Sequence, residues 1–165
     1  MTSPRRSIPA AQRAALSAFV KLNRATNALR ARLVPPLGRD HDLTESQLGV
    51  LEALLHLGAM PQRQLSDKLL VSGSNLTTVI DNLERRGAVR RGADPADRRI
   101  NRIALTDKGR GLIERAFPEH AARITSLMGA LTRDELTSLG RLCRKLGLAT
   151  TSGAAEQRGP ARRTP

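Results

Sequence analysis

Residues 83–109 run Leu83-Glu84-Arg85-Arg86-Gly87-Ala88-Val89-Arg90-Arg91-Gly92-Ala93-Asp94-Pro95-Ala96-Asp97-Arg98-Arg99-Ile100-Asn101-Arg102-Ile103-Ala104-Leu105-Thr106-Asp107-Lys108-Gly109. Gly87 is a helix stop, because glycine reaches the left-handed conformation that closes a last turn. Val89-Arg90-Arg91 then reads as a short strand and Asp94-Pro95-Ala96-Asp97 as a turn. Arg99 to Leu105 alternates polar with apolar, as a half-buried strand does. Two strands around a Pro/Asp turn make a β-hairpin, and Thr106 is placed to cap a helix starting at Asp107. Between residues 84 and 102 this stretch carries seven arginines (85, 86, 90, 91, 98, 99, 102) against Glu84, Asp94 and Asp97.

Upstream, the pattern is helical. Ala15, Phe19, Leu22, Thr26, Leu29 and Leu33 are spaced 4, 3, 4, 3, 4, which predicts one amphipathic helix over 10–34, ended by Pro35-Pro36. Thr44-Glu45-Ser46-Gln47 is a capping box that opens a helix to about Leu57, with Gly58 as its stop. Pro61 suits the first turn of a helix through about Leu70, and Ser72 or Ser74 caps the next, which runs to about Arg86. Downstream, Ile113, Phe117, His120, Ile124, Leu127 and Leu131 repeat the 4, 3, 4, 3, 4 spacing, with Pro118 expected to kink or split the helix. Thr132-Arg133-Asp134-Glu135 is a second capping box. It opens a last helix with Leu136, Leu139, Cys143 and Leu146 on one face, which Gly147 is expected to end. The termini, 1–9 and 149–165, read as disordered tails, the second of them basic.

Two short helices joined by a tight turn and followed at once by a basic hairpin are the parts of a winged helix-turn-helix. The fold class expected is therefore mainly α with a small β-hairpin wing. The DNA-binding lobe spans 40–106, and dimerisation helices at 10–34 and 107–148 come from both ends of the chain. At about 100° per residue, Leu76, Val79, Ile80 and Leu83 gather on one side of the second short helix. Ser74, Thr78, Asp81 and Arg85 lie nearly opposite, flanked by Asn75, Thr77 and Asn82. Such a face is small and hydrogen-bonding, and asparagine pairs bidentately with adenine in the major groove.

Composition narrows the partner. The 165 residues hold 28 Lys+Arg against 15 Asp+Glu, a net charge of +13, which calls for a polyanion. Two Phe, no Trp and no Tyr leave no platform for stacking single-stranded bases. The charge suits a nucleic acid or an acidic membrane surface, and the missing aromatics fit duplex groove reading better than single-strand stacking. The single cysteine excludes a disulfide framework and a Cys-rich zinc site. No apolar run reaches the roughly 18–20 residues of a membrane span, and Gln12, Arg13 and Lys21 interrupt any signal-peptide core, so a cytoplasmic protein is expected. No Ser/His/Asp, paired-carboxylate or metal-ligand constellation is present, and neither enzyme, cofactor nor metal site is expected.

The segments Leu83 to Val89, Asp94-Pro95-Ala96-Asp97-Arg98-Arg99 and Leu105-Thr106-Asp107-Lys108-Gly109 match, in order and spacing, the helix end, wing and wing exit of the MarR family of bacterial transcriptional regulators. Leu43-Thr44-Glu45-Ser46-Gln47 and Val71-Ser72-Gly73-Ser74-Asn75-Leu76-Thr77 fit as well, so the resemblance spans about residues 12–148. It implies an obligate homodimer whose N-terminal helix and last two helices interlock, to which the stripes at 15–33 and 113–131 are suited. It also implies a repressor of a pseudo-palindromic operator, released by a small molecule. Ser72, Ser74, Asn75, Thr77 and Thr78 match the base- and phosphate-contacting stretch, with Thr78 standing where an arginine is common. Arg85, Arg90 and Arg102 add backbone contacts. Asp97 orients an arginine, and Arg98 or Arg99 enters the minor groove. The alternative class is an architectural nucleic-acid binder that senses nothing.

Effectors of such regulators, often phenolic or otherwise anionic aromatics, bind between the dimerisation helices and the DNA-binding lobe. Candidate pocket residues are Arg24, His41, His56 and His120, with Arg24 or Arg30 available to a carboxylate. The three histidines are not at metal-ligand spacings. His120 reads either as a core histidine bonded to a backbone carbonyl or as a polar group lining the pocket. Phe117-Pro118-Glu119-His120, with Val71-Ser72-Gly73-Ser74, resembles a branch containing regulators that respond to quinones and catechols. Cys143, on the apolar stripe of the last helix, reads as a buried structural thiol rather than a redox switch.

Overall fold

The computed structural model describes residues 9–94 and 101–156, with burial and side chains described through Thr150. Along the chain run α1 (Ala10–His41), α2 (Glu45–Leu57), β1 (Met60–Pro61), α3 (Gln62–Leu69), α4 (Gly73–Arg85), β2 (Val89–Ala93), β3 (Asn101–Leu105), α5 (Asp107–Met128) and α6 (Arg133–Glu156). The strands form one antiparallel sheet in the order β1-β3-β2. The architecture is that of a mainly helical winged helix-turn-helix.

α2 lies at the centre of the core. Its Val50 and Leu51 are fully buried and share one buried cluster with Leu65 of α3, Leu76, Ile80 and Leu83 of α4, Val89 and Ile103 of the sheet, and Ile113 and Ala116 of α5. Positions 76, 80 and 83 recur at the helical period, so one face of α4 is buried and the other left outward. Full burial of each such side chain contributes about 1.5–3 kcal/mol.

The helix starts are built as the sequence predicts. Thr44 accepts from the Gln47 N–H at 3.2 Å while Gln47 Oε1 accepts from the Thr44 N–H at 3.0 Å, closing the capping box. Ser72, not Ser74, caps α4 by accepting from the Asn75 N–H at 3.3 Å. Thr106 caps α5 and Thr132 caps α6. At the end of α4 the Gly87 N–H reaches Glu84 O at 2.8 Å and the Ala88 N–H reaches Leu83 O at 2.9 Å, with Gly87 at φ 69°. This is the paired closure that favours glycine.

Gly109 is required for a different reason. A Cβ built on it would lie 1.8 Å from Ala88 O. The first turn of α5 is drawn onto that carbonyl by Thr106, whose N–H reaches Ala88 O at 3.1 Å and whose hydroxyl donates to Gly87 O at 2.6 Å. The Leu-Thr-x-x-Gly wing exit is thus a cap followed by the one residue thin enough for the approach.

Four boundaries differ from the sequence reading. α1 runs through Pro35 and Pro36 to His41, because buried Leu37 and a left-handed Asp42 (φ 52°) fix the extra turn from outside the helix. β1, paired as Met60 with Ile103, was not anticipated: two residues are too short to show alternation, and Pro61 sits on a sheet edge where its missing N–H costs nothing. α5 passes unbroken through Pro118, with Ile113, Ala116 and His120 buried on either side of it. α6 continues past Gly147 to Glu156, so residues 149–156 are helix rather than tail. Thr150 bonds back to Leu146 O at 3.2 Å, and a Cβ at Gly147 would stand 3.4 Å from Leu70 Cδ1. That glycine admits a neighbour instead of ending a helix. Cys143, expected to be buried, is exposed on the single chain. Residues 1–8, and the wing tip with Asp97, Arg98 and Arg99, lie outside the described residues.

Candidate nucleic-acid interface

The outward face of α4 is set by its buried one. Ser72, Ser74, Asn75, Thr77 and Thr78 are all exposed along its first two turns. The hydroxyls are held close to the helix: Thr77 Oγ1 donates to Gly73 O at 2.8 Å and accepts from Gln62 Nε2 of α3 at 2.7 Å. Thr78 Oγ1 donates to Ser74 O at 3.4 Å. The Asn75 side chain has no hydrogen-bond partner among the described residues, which leaves its amide to an outside acceptor or donor. Gln62, absent from the sequence reading, joins this surface because the α3–α4 turn brings position 62 to position 77.

The arginines of residues 84–102 divide into two kinds. Arg91 is structural: its N–H donates to Glu84 Oε1 at 3.0 Å, and its guanidinium bonds both the Glu84 and the Asp81 carboxylates. Burial pulls its pKa down, but the hydrogen bonds it donates to Asp81 and Glu84, with their negative charges, outweigh that and raise it. The base of β2 is thereby clamped to α4. Arg102 is similarly employed, paired with Asp94 at 2.9 Å and bonded to Ala59 O. Arg86 bonds Asp42 O, stands 3.2 Å from the Asp42 carboxylate, and ties the end of α4 to the corner between α1 and α2. Arg85 bonds Asn82. Arg90 is exposed on β2 with no partner among the described residues. Of the arginines named from sequence and described here, it is the cation left free for a phosphate. Sequence spacing gave the arginines but not their acidic partners, which lie 7 to 44 residues away.

Three of the four candidate effector residues lie where α1 and α2 pack on α5, each with its own neighbours. His41 Nε2 lies 3.2 Å from Glu119 Oε2, and Asp40 accepts from Arg123 at 3.0 Å, so the last turn of α1 is fastened across α5. The His56 ring meets Phe117 edge-on, centroids 5.3 Å apart. His120 is buried, and no partner reaches its Nδ1. An unsatisfied buried polar atom of this kind costs about 1–3 kcal/mol. Burial lowers the His120 pKa against the opposing fields of Glu52 and Glu45, so the imidazole is neutral near pH 7. Arg24 lies 17 residues before His41 on the same helix, about 25 Å away along its axis, and does not join the group. Arg30 is taken by Glu45 at 2.8 Å and is not free for a ligand carboxylate. A depression of about 440 Å³ lies elsewhere, between the α1–α2 corner and the end of α4, lined by Thr44, Gln47, Arg85 and Arg86. Among the described residues no His/Cys/Asp/Glu group is arranged to hold a metal ion, and no helix is long and apolar enough to cross a membrane.

Residues 43–100, from the α2 capping box to the wing, match the MarR family model. The HTH-type transcriptional regulator MhqR of Bacillus subtilis (strain 168) is 33% identical over 133 residues, 81% of this chain and 91% of that one. The chain belongs to the MarR family. Its fold is shared with Sco3205, a MarR family regulator from Streptomyces coelicolor solved in complex with DNA, at TM-score 0.73 and 24% identity over 97% of this chain and 95% of that one. BpsR of Bordetella bronchiseptica, whose DNA binding is regulated by 6-hydroxynicotinic acid, is 28% identical at TM-score 0.67 over 79% of this chain and 98% of that one. This MarR regulator is therefore a DNA-binding transcriptional regulator and not an enzyme.

Proposed function

We propose that the protein is a homodimeric repressor of a pseudo-palindromic operator, released by a phenolic or quinone-like small molecule in the cytoplasm. The observation that carries this is the unsupported apolar surface of α1 and α6. Leu16, Phe19 and Val20 of α1 and Leu142, Leu146 and Leu148 of α6 are each 45–65% exposed on the single chain. Such a surface is not left to water in a stable protein, and a second copy covers it in a closed two-fold pair. Two copies then present two α4 helices to successive major grooves, about 34–36 Å apart.

In each copy Ser74, Asn75, Thr77 and Thr78 face base edges and nearby phosphates, with Ser72 at the helix start. Arg85, Arg90 and Arg102 face the backbone, Arg90 foremost because its guanidinium is free. Arg98 or Arg99 enters the minor groove, held in position by Asp97. With Thr78 at a position where an arginine is common in such regulators, shape and backbone contacts take a larger share of the specificity. An effector lodged at His41, His56 and His120 favours a dimer whose α4 helices are misplaced, and that differential affinity is all that release requires.

The test is an electrophoretic comparison of the upstream region of the protein's own gene with scrambled DNA at physiological salt. A specific repressor holds a preference of at least about 10³. Equal affinity for both sequences overturns the reading in favour of an architectural binder governed by charge alone.

A further inference from the structure

The net charge of +13 is not carried by the lobe that holds α4 and the wing. Residues 40–106 contain nine Lys/Arg and nine Asp/Glu, while residues 1–39 contain eight Lys/Arg and no acidic residue. Six of those eight lie on α1. Arg30 is taken by Glu45 and Arg39 by Asp40, each at 2.8 Å. Arg13, Lys21, Arg24 and Arg32 are exposed, and none of them has an acidic partner among the described residues.

These four share a face. At about 100° per residue they fall within an arc of about 100°, and they extend over about 28 Å of helix. Phe19, Leu22, Leu29 and Leu33 gather on the opposite side, with Leu16 and Val20 at the flank. In the proposed dimer a second copy covering that apolar side leaves the cations outward. The stripe is also remote from the first turns of α4. Arg86, at the other end of α4 from Ser72, ties that end to the corner where α1 finishes. Arg32 and Arg13 lie about 14 and 42 Å back along α1 from there.

We propose that this stripe holds a second DNA duplex, so that a molecule seated through α4 on one duplex bridges to another. Four like charges without a counter-charge repel one another along the helix, and a polyanion relieves that while releasing its own counterions. A duplex presents about 16 phosphate charges over 28 Å, enough for each cation to find one. Phe19, the one Phe of α1, is on the far side, so unstacked bases have no ring to rest on and a closed duplex fits better. An anionic membrane fits less well. A helix lying in the interface puts its apolar side into the lipid, and here that side faces the second copy. The inference goes beyond the repressor reading: it needs DNA on the lobe, but no preference for an operator.

The experiment holds a duplex of the gene's own upstream region on beads and adds the full chain, then a fluorescent scrambled duplex. Retention of the second duplex is read as salt is raised. The unmodified protein is expected to retain it, with a log–log salt slope of about 3–4. The combined Arg13→Gln, Lys21→Gln, Arg24→Gln and Arg32→Gln protein should retain at least about tenfold less, with its gel-shift affinity for the first duplex unchanged. The charge-keeping set Arg13→Lys, Arg24→Lys and Arg32→Lys should bridge as the unmodified protein does. Where the glutamine set is poorly folded, arginine Nε spectra of the unmodified protein replace it, and the signals of Arg13, Arg24 and Arg32 move when scrambled duplex joins the first complex.

No retention by the unmodified protein overturns the inference, as do equal retention by the glutamine set and unmoved arginine signals. Loss of both duplexes together in a folded glutamine set overturns it too, because the stripe then belongs to the first contact. Capture of phosphatidylserine-rich vesicles in place of the scrambled duplex gives the stripe to a membrane and overturns it as well. A first contact that shows no preference for the upstream sequence overturns the operator reading and leaves this inference standing.

Discussion

The DNA-binding lobe and the two long helices that flank it, α1 and α6, are built on opposite terms. In the lobe, α2 through the start of α5 closes around Val50, Leu51, Leu65, Leu76, Ile80, Leu83, Ile103 and Ile113, each at 0–1% exposure. In the flanking helices Phe19 is 65% exposed and Leu142 54%. Both regions follow the same 3.6-residue periodicity, and only one finds its partner among the described residues. The difference teaches that periodicity states that a face must be covered, not by what. One region buries its apolar face within its own chain, and in the proposed dimer the other would be covered by a second copy.

That contrast can be attacked at its strongest point first. Gly109→Val forces a side chain into the Ala88 carbonyl, and we expect a loss of more than about 3 kcal/mol in urea unfolding, at every protein concentration. A loss under about 1 kcal/mol would mean that the wing and α5 are not locked together as described. Leu51→Ala should cost about 2–5 kcal/mol, again without dependence on concentration. Leu142→Ala is the matched change in the other region. Its thermal midpoint should fall more in dilute than in concentrated protein, and light scattering should show monomer. A concentration-independent fall would place Leu142 in an intrachain core.

Within the lobe, Arg90→Ala should weaken binding to all duplexes alike and reduce the slope of log affinity against log salt by about one. Asn75→Ala should instead narrow the gap between operator and scrambled DNA, by about 1–3 kcal/mol. An unchanged salt slope for Arg90→Ala would put that residue off the DNA.

The smallest effect is one of pH. His120 has its folded-state pKa lowered, chiefly by burial, so the unfolded chain takes up its proton first as pH falls. Its contribution is fully present above the unfolded value near 6.5 and is lost as pH falls from there through the folded pKa. His120→Leu should flatten stability measured between pH 7.5 and 5, and an unaltered profile would remove the histidine from that balance.

The parts legible in the sequence were those fixed by neighbours along the chain. Thr44 with Gln47, Thr106 with Gly109 and Thr132 with Glu135 are bonds across three residues, and each cap forms where its pattern lies. Two of the misreadings involve partners far away. Pro35-Pro36 looks like a terminus until Leu37 is seen buried in the lobe, and Gly147 looks like a stop until Leu70 is seen against it. At the site, the exposed polar face of α4 followed from its spacing. Which arginines are free did not, because Asp81 and Glu84 claim Arg91 and Asp94 claims Arg102 only once the sheet has formed.

The Arg91 clamp carries one more consequence. With β2 tied to α4 through Asp81 and Glu84, the outward face of α4 and the base of the wing are held in one fixed relation. On the proposed dimeric reading, each chain is then a ruler of fixed length on its half-site. Only the separation between the two rulers of a dimer is left to adjust, so related operators should tolerate changes in their central spacer more readily than insertions within either half.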